Sequence, residues 1–327
     1  MEQRKLGETG VEVSVLALGC WPFSGGATWG EQDDADSIAT VHAALDLGIN
    51  LFDTAEGYEH SEEVLGEALE GRRDGAVIAT KVSGGHLSAD ALKASCEASL
   101  KKLRTDYIDL YQLHWPSRTV PLAETLEALE ALRSEGKIRA VGVCNFATED
   151  LSDFLAVGRC ETNQLPYNLL WRVIEREIQP ACAQHDIGIL CYSPLAQGLL
   201  TGRYASADEV PDGLSRTRLF SCDRAMADHG EEGCEVEVFR ALEEVKRVAD
   251  GLGASMAAVS LAWVVARQSV TSLLVGARNP QELKACVESL ETELPGKAVR
   301  ELAEATLPVK EKLGTNADMW FSESRMR

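Results

Sequence analysis

"AVIATKV", residues 76–82, is the stretch from which the fold can be worked out. It is apolar and β-branched apart from one lysine, Lys81, near its carboxyl end. A run of this kind is typical of a strand that is buried on both faces, as in a parallel sheet covered by helices. Because an unpaired ammonium is very costly in such a place, Lys81 predicts a partner elsewhere in the chain.

Seven similar runs are spaced along the chain, with segments of helical periodicity between them. The runs are "VSVLALGCW" (13–21), "NLFDTA" (50–55), "YIDLYQLHW" (107–115), "RAVGVCNF" (139–146), "TNQLPYN" (162–168), "GILCYSPLA" (188–196) and "SLLVGAR" (272–278). Eight strands that alternate with eight helices predict an α/β fold, the closed (β/α)8 TIM barrel. Before the first strand, "RKLGETGVEVSVLALG" predicts a β-hairpin that turns at glycine.

The chain has 327 residues, whereas this barrel typically needs about 250. The excess lies in a long loop after strand seven, roughly 199–253, and in a tail from about 297 to 327. No linker or low-complexity stretch divides the sequence, so we predict a single domain over 1–327 with the tail near the barrel mouth. An open doubly wound sheet is the alternative fold, but its GxGxxG signature between the first strand and helix is absent.

The composition limits the classes of partner. The chain has 32 Lys and Arg against 52 Asp and Glu, a formal net charge of −20, which repels nucleic acid and anionic membranes. Nine cysteines without a CxxC pair predict reduced thiols in a cytoplasmic protein. The sequence has no HExxH motif and no Cys/His cluster, so we predict no metal site. We therefore expect a small-molecule ligand, and no nucleic-acid or membrane partner.

Polar residues stand at or near the carboxyl ends of the predicted strands, where a (β/α)8 barrel carries its chemistry. In chain order, on strands two to seven, they are Asp53, Lys81, His114, Asn145, Gln164 and Tyr192. If the barrel closes, these six side chains converge on one mouth, although none is close to another along the chain.

The ordered motifs resemble the aldo-keto reductase family across nearly the whole chain. They are "GINLFDTAEGYEHSEEVLGEAL", "ATKV", "LYQLHWP", "EGKIRAVGVCNF", "QLPYN", "YSPLAQGLLTG" and "VGARNPQEL". The first motif is the most specific, because its Asp, the Tyr five residues later and the following helix all match. The resemblance implies an NADP(H)-dependent oxidoreductase that reduces aldehydes or ketones to alcohols reversibly, on a (β/α)8 barrel without a Rossmann fold.

The resemblance also implies a catalytic tetrad of Tyr58, Lys81, Asp53 and His114. Tyr58 would donate the proton to the carbonyl oxygen. A tyrosine hydroxyl, with a pKa of about 10, is a weak acid at neutral pH, so we expect the Lys81 ammonium to favour its phenolate. Asp53 would pair with Lys81 and offset the cost of its burial. His114 would orient the carbonyl oxygen or share in proton delivery.

A bound coenzyme must supply the hydride, because no side chain can. The resemblance implies that Asn145 and Gln164 bind the nicotinamide carboxamide and that Tyr192 stacks on the nicotinamide ring. It also implies pyrophosphate contacts from Ser193, Leu195, Gly198 and Leu199. The adenosine phosphate and adenine would be bound by Gly276, Arg278 and Glu282.

Arg278 decides the predicted coenzyme, because the family places a basic residue against the adenosine 2′-phosphate beside a helix N-terminus. NADP(H) is therefore expected in preference to NAD(H). Two positions depart from the family pattern. Cys144 replaces the usual serine and Cys286 a common asparagine, which weakens two expected coenzyme contacts.

Four aromatic side chains are candidate walls of the substrate pocket, namely Trp21, Trp29, Trp115 and Trp320. Such walls suit an apolar or sugar-like carbonyl. Packing at the barrel top is an equal alternative for Trp21 and Trp29. The tail, with Trp320 and Phe321, is expected to close over the mouth, and the 199–253 insertion is a candidate belt over the cofactor.

Two other functions remain open at this point. One is an NADPH-binding regulatory partner protein with marginal turnover, like the potassium-channel β-subunits of the same family. The other is a Schiff-base enzyme that uses Lys81 as its nucleophile. The intact tetrad disfavours the second more than the first.

Overall fold

The computed structural model describes residues 1–327, and its centre is a closed barrel of eight parallel strands. An antiparallel hairpin, β1 (Gln3–Lys5) and β2 (Glu12–Ser14), precedes it. The barrel strands are β3 (Leu16–Gly19), β4 (Leu51–Asp53), β5 (Val77–Val82), β6 (Ile108–Leu113), β7 (Ile138–Cys144), β8 (Thr162–Pro166), β9 (Gly188–Tyr192) and β10 (Val270–Gly276). They pair in sequence order, and β10 pairs with β3, which confirms the (β/α)8 prediction and excludes an open sheet.

Helices alternate with the barrel strands, as predicted. They are α2 (Asp34–Asp46), α3 (Ser61–Ala68), α4 (Ala89–Lys102), α5 (Leu122–Ser134), α6 (Thr148–Val157), α7 (Ile178–Gln184), α9 (Met256–Val265) and α10 (Pro280–Ser289). Four more stand outside the alternation, namely α1 (Gly26–Trp29), α8 (Glu235–Leu252), α11 (Gly296–Ala305) and α12 (Leu307–Leu313). No single helix has the length and apolarity to cross a membrane; α8 and α9 meet that test only as a pair, bent by 95°.

The first predicted strand, 13–21, is in fact two strands. Residues up to Ser14 belong to the hairpin, and the barrel strand begins at Leu16. The Ser14 hydroxyl donates to the Leu16 carbonyl oxygen at 2.7 Å, so the chain turns between the two strands. The seventh strand also ends earlier than predicted, at Tyr192, because Ser193 has a left-handed φ of 51°.

Small apolar residues fill the inside of the barrel, where Ala17, Ala79 and Ala140 pack with larger side chains such as Leu110. The hairpin contributes Leu6 and Val13 to this inner cluster. A much larger apolar cluster of 75 buried residues joins the strands to the surrounding helices. Apolar side chains thus fill the barrel interior on the hairpin side, and the polar side chains of the strands lie at their carboxyl ends.

The two segments of excess length are more regular than the sequence suggests. The predicted loop after strand seven includes the 18-residue helix α8, which packs against α11 and α12 at the start of the predicted tail. The rest of the tail lacks regular structure but is tied down by Asp318, which is buried. The Arg325 guanidinium donates to both oxygens of Asp318, at 2.7 and 2.9 Å.

Gly66 of α3 gives a test of how tightly the helices pack. A methyl group there would lie 2.5 Å from the Lys102 carbonyl oxygen and 2.7 Å from the Leu103 carbonyl carbon. Because backbone cannot move aside cheaply, Gly66→Ala should lower the free energy of unfolding in urea by about 2 kcal/mol. Gly251 of α8 has open space around it. Gly251→Ala should therefore raise stability by about 0.5 kcal/mol, and equal effects at both sites would contradict this packing.

Candidate active site

A cavity of about 910 Å³ opens beside the carboxyl ends of the barrel strands. Sixteen of the eighteen predicted site residues line it, and they come from seven barrel strands or their loops and from the tail. They are Trp21, Trp29, Asp53, Tyr58, His114, Trp115, Asn145, Gln164, Tyr192, Ser193, Leu195, Gly198, Gly276, Arg278, Glu282 and Trp320. Two do not line it. The Leu199 side chain is 2% exposed and packs in the apolar core, so its place at the pyrophosphate stays a prediction, and Lys81 lies beneath the surface.

Lys81 of β5 is completely buried, and its partner is Asp53 at the end of β4. Its ammonium donates to Asp53 Oδ1 at 2.6 Å, to the Thr54 carbonyl oxygen at 2.8 Å and to the Tyr58 hydroxyl at 3.4 Å. Burial disfavours the ammonium, but the negative charge of Asp53 outweighs this effect with the help of Tyr58, so the pKa of Lys81 is raised. Lys81 therefore stays charged even though its side chain is fully buried from solvent.

The second oxygen of Asp53 accepts hydrogen bonds from two glutamine amides. Gln164 Nε2 donates to it at 2.7 Å and Gln112 Nε2 at 3.2 Å. The Gln164 amide nitrogen, predicted to bind nicotinamide, is thus committed to Asp53 in this structure. Both carboxylate oxygens have donors, which offsets much of the desolvation cost of burying the charge.

Sequence analysis missed Gln112. It pairs in register with Lys81 and stands two residues before His114, so period-2 alternation along β6 was the available signal. Cys144, on the neighbouring strand, donates its thiol to Gln112 Oε1 at 3.6 Å and does not line the cavity. In this structure Cys144 supports the amide that supports Asp53.

Tyr58 comes from the turn between β4 and α3, as the strand pattern predicts, and its ring is held on two sides. Trp21 stacks on it with ring centres 5.5 Å apart, and His114 meets it edge-on at 5.7 Å. Burial raises the pKa of Tyr58 to about 12, and Lys81 only partly opposes this shift. The contribution of Lys81 has the predicted direction, but burial outweighs it, and Tyr58 keeps its proton throughout the neutral range.

His114, after β6, is a neutral imidazole at neutral pH. Burial, followed by the positive charges of Lys81 and Arg325, lowers the pKa of His114 to about 3. Its ring nitrogens make no hydrogen bond to other residues, while its carbonyl oxygen accepts one from Asn145 Nδ2 at 3.1 Å. The ring can therefore offer one N–H to a ligand, but it carries no imidazolium proton to give away.

Strained backbone marks the cavity wall after β7 and β9. Asn145, Ser193 and Gln197 have left-handed φ values of 60°, 51° and 54°. The Asn145 side-chain oxygen accepts a hydrogen bond from the Tyr192 hydroxyl at 3.0 Å. Gln197, which sequence analysis missed within "PLAQGLL", lines the cavity with both polar atoms of its amide buried and unpartnered. Strain together with an unpartnered buried amide is typical of a ligand site.

Arg278 follows β10 and ties two loops of the cavity together. Its Nε donates to Gln32 Oε1 at 3.0 Å and its Nη2 to the Glu31 carbonyl oxygen, both in the loop before α2. The Glu282 carboxylate accepts from the Arg278 backbone N–H at 2.9 Å. A phosphate at this helix start would have to compete with these intramolecular partners. Cys286 lies on the same wall.

The four predicted aromatic walls belong to two groups. Trp21 and Trp29 meet edge-on with ring centres 5.4 Å apart, beside Tyr58. Trp115 lies under the guanidinium of Arg325, 3.4 Å from its ring centre, and Trp320 faces the cavity from the tail. The tail therefore forms part of the cavity wall.

The sequence model of the Aldo/keto reductase family matches residues 15–306. The chain belongs to this family. It is 37% identical over 303 residues to the aldo-keto reductase YhdN of Bacillus subtilis, covering 88% of each chain. It is 33% identical over 333 residues to the NADH-specific methylglyoxal reductase of Escherichia coli, covering 93% of this chain and 99% of that one. An aldo-keto reductase of Klebsiella pneumoniae, solved in complex with NADPH, superposes with a TM-score of 0.74 at 30% identity, over 93% of this chain and 95% of that one.

The buried ion pair of this aldo/keto reductase predicts unequal effects on stability. Lys81→Met leaves the Asp53 carboxylate with its two glutamine donors, whereas Asp53→Leu leaves the ammonium with only the Thr54 carbonyl and the Tyr58 hydroxyl. We expect Asp53→Leu to lower the free energy of unfolding in urea by about 3 to 5 kcal/mol. Lys81→Met should cost about 1 to 2 kcal/mol. A larger loss for Lys81→Met would show that the amides do not stabilise Asp53.

Proposed function

We propose that this protein is an NADP(H)-dependent reductase of aldehydes or ketones, able to run in reverse, with Tyr58 as proton donor. The observation that carries the proposal is the Tyr58 hydroxyl at the cavity wall, 3.4 Å from a buried ammonium and beside a neutral imidazole. All nine cysteines are free, which supports a cytoplasmic location.

The cavity fits a nicotinamide coenzyme. Gln197 has an unpartnered amide for a polar ligand, and Arg203 and Arg278 offer positive charge to phosphates. A bound coenzyme supplies the hydride that reaches the carbonyl carbon. Exchange of the hydrogen bonds that Asn145 and Gln164 now make inside the protein would free their amides for the carboxamide.

The proton transfer depends on side chains of the protein itself. The carbonyl oxygen takes the proton from the Tyr58 hydroxyl as its carbon becomes tetrahedral, and solvent later reprotonates the phenolate. The Lys81 ammonium stabilises the negative charge that develops on Tyr58, and Asp53 fixes the direction of Lys81. The neutral His114 ring donates an N–H to the carbonyl oxygen and orients it. In reverse, the same phenolate accepts the alcohol proton.

Lys81 is a poor candidate for a Schiff-base nucleophile. Such an amine must lose its proton and reach the substrate, but Lys81 is fully buried and its pKa is raised. The geometry therefore favours the reductase over this alternative. A regulatory partner protein with marginal turnover would keep the same tetrad, so only turnover separates it from the reductase.

Tyr58→Phe tests the proton donor. It should lower kcat for reduction of a panel of aldehydes and ketones by about 10²- to 10⁴-fold, because it removes the donor hydroxyl alone. Binding of NADPH, followed by fluorescence, should remain unchanged. Tyr107→Phe is the matched control, since Tyr107 lies outside the cavity between Arg73 and Arg139. Full activity of Tyr58→Phe would refute the assigned donor, and a wild type that turns over no carbonyl would favour the regulatory alternative.

Arg278→Gln tests the coenzyme preference. If Arg278 leaves Gln32 and Glu31 to bind the 2′-phosphate, its loss should weaken NADPH binding by about tenfold or more, the usual worth of a charge-assisted hydrogen bond. Binding of NADH, which lacks that phosphate, should change little. Equal losses for both coenzymes would mean that Arg278 only fastens the loop, and a wild type that prefers NADH would resemble the E. coli relative in this respect.

A further inference from the structure

Arg216 is a cavity residue that the proposed chemistry does not use. It belongs to the long loop between β9 and α8, lines the cavity and is half-buried. Its guanidinium lies over two tryptophans, 4.6 Å from the ring centre of Trp320 and 5.5 Å from that of Trp21. A guanidinium packed on aromatic rings is held in place while the edge of its planar fork stays free.

The charge of Arg216 has no partner within the protein. Its Nε donates to the Gly213 carbonyl oxygen at 3.0 Å, and neither Nη atom donates to any residue. Asp228 is the nearby acid that favours the charge, yet it does not come within the 4.0 Å of a salt bridge. Burial lowers the pKa of Arg216, which shows that the site disfavours an uncompensated cation. A half-buried guanidinium with free N–H donors is therefore a candidate binding site for an anionic ligand group.

The three other arginines that line the cavity differ from Arg216. Arg325 has its charge balanced by the buried carboxylate of Asp318. Arg278 is engaged by Gln32 and Glu31. Arg203 is exposed to water, which satisfies its donors. Arg216 alone combines partial burial, aromatic packing and unpartnered Nη donors.

Trp21 connects Arg216 to the proposed proton donor. Its ring stacks on Tyr58 at 5.5 Å and also lies 5.5 Å from the Arg216 guanidinium carbon. A carbonyl compound that meets Tyr58 and also reaches Arg216 must therefore span two groups that each contact Trp21. Its anionic group would lie several bonds away from the reacting carbonyl.

We propose that Arg216 recognises a carboxylate on the substrate, so that the preferred substrates are aldehydes or ketones carrying a carboxylate several bonds from the carbonyl. This inference rests on the proposed reductase function. The two free Nη atoms of a planar guanidinium match the two oxygens of a carboxylate. The Arg216 charge, which Asp228 favours without a salt bridge, can pair with a monoanion, and the aromatic surroundings strengthen the pairing by excluding water.

The test compares two rigid aldehydes of nearly the same shape, the anionic 4-formylbenzoate and the neutral 4-formylbenzamide. Reduction is followed with the NADPH-loaded enzyme for wild type, Arg216→Met and Arg216→Lys. Binding of both aldehydes to the protein loaded with oxidised coenzyme is followed separately, through tryptophan fluorescence. Arg240→Met is the matched control, because it removes the same charge from an exposed position on α8 outside the cavity.

Wild type should prefer the benzoate, and Arg216→Met should lower kcat/KM for it by about tenfold or more, mainly through KM. The benzamide should change less than about twofold, Arg216→Lys should recover part of the preference, and Arg240→Met should behave as wild type. Equal losses of kcat/KM for both aldehydes would mean that Arg216 only holds Trp21 and Trp320 in place, and this would overturn the proposal. No loss for either aldehyde would overturn it as well.

The binding measurement separates this proposal from the proposed function. If wild type reduces neither aldehyde, the reductase assignment fails for this class, but tighter binding of the benzoate that disappears in Arg216→Met would still support the carboxylate site. Equal binding of the two aldehydes by wild type would overturn the site even if both are reduced.

Discussion

The ion pair between Asp53 and Lys81 determines what the rest of the barrel must provide. Both charges are buried, so every atom that stabilises them has to come from the protein. The partners stand on separate strands, with Asp53 on β4, Lys81 on β5, Gln112 on β6 and Gln164 on β8. Only a closed barrel brings these four side chains to one point. The electrostatics of the candidate site and the closure of the fold are therefore one constraint.

This pair also bears on how Tyr58, a weak acid, could act as the proposed proton donor at neutral pH. Burial keeps the proton on Tyr58, since the phenolate would be poorly solvated there. The Lys81 ammonium contributes little while Tyr58 is neutral and most when its oxygen becomes negative. Stabilisation that grows as charge develops lowers a barrier, whereas stabilisation of the resting state does not. A raised resting pKa is thus compatible with Tyr58 as a proton donor.

Local patterns in the sequence were enough for the barrel and for six polar residues at its mouth, whereas Tyr58 and most coenzyme-site residues were implied by the family resemblance. Continuous apolar runs predicted all eight strands, and the family resemblance implied Asp53 as the partner of Lys81. The split of the first strand was missed, because it depends on the Ser14 hydroxyl bonding to the Leu16 carbonyl, which no periodicity records. Gln112 was missed because its role depends on partners on other strands.

The raised pKa of Tyr58 was not predicted for the same reason. A sequence shows that a lysine stands near the tyrosine, but the effect of burial depends on how Trp21 and His114 enclose the ring. The direction of each contribution could be predicted, while their relative size needed the packed structure. Residues from distant loops, such as Arg216, were beyond prediction for the same reason.

The arginines at the cavity show how a protein with a net charge of −20 can hold anionic ligands. Arg278 and Arg325 are already bound to the protein, to Glu31 and Asp318 among others, and they fasten a loop and the tail beside the mouth. Their charges are largely spent on structure, so a ligand gains from them only by displacing a partner. Arg203 and Arg216 have no salt-bridge partner, so a ligand that neutralises either need not displace a carboxylate. Local anion affinity in this cavity therefore depends less on the number of arginines than on which of them the fold has left unpaired.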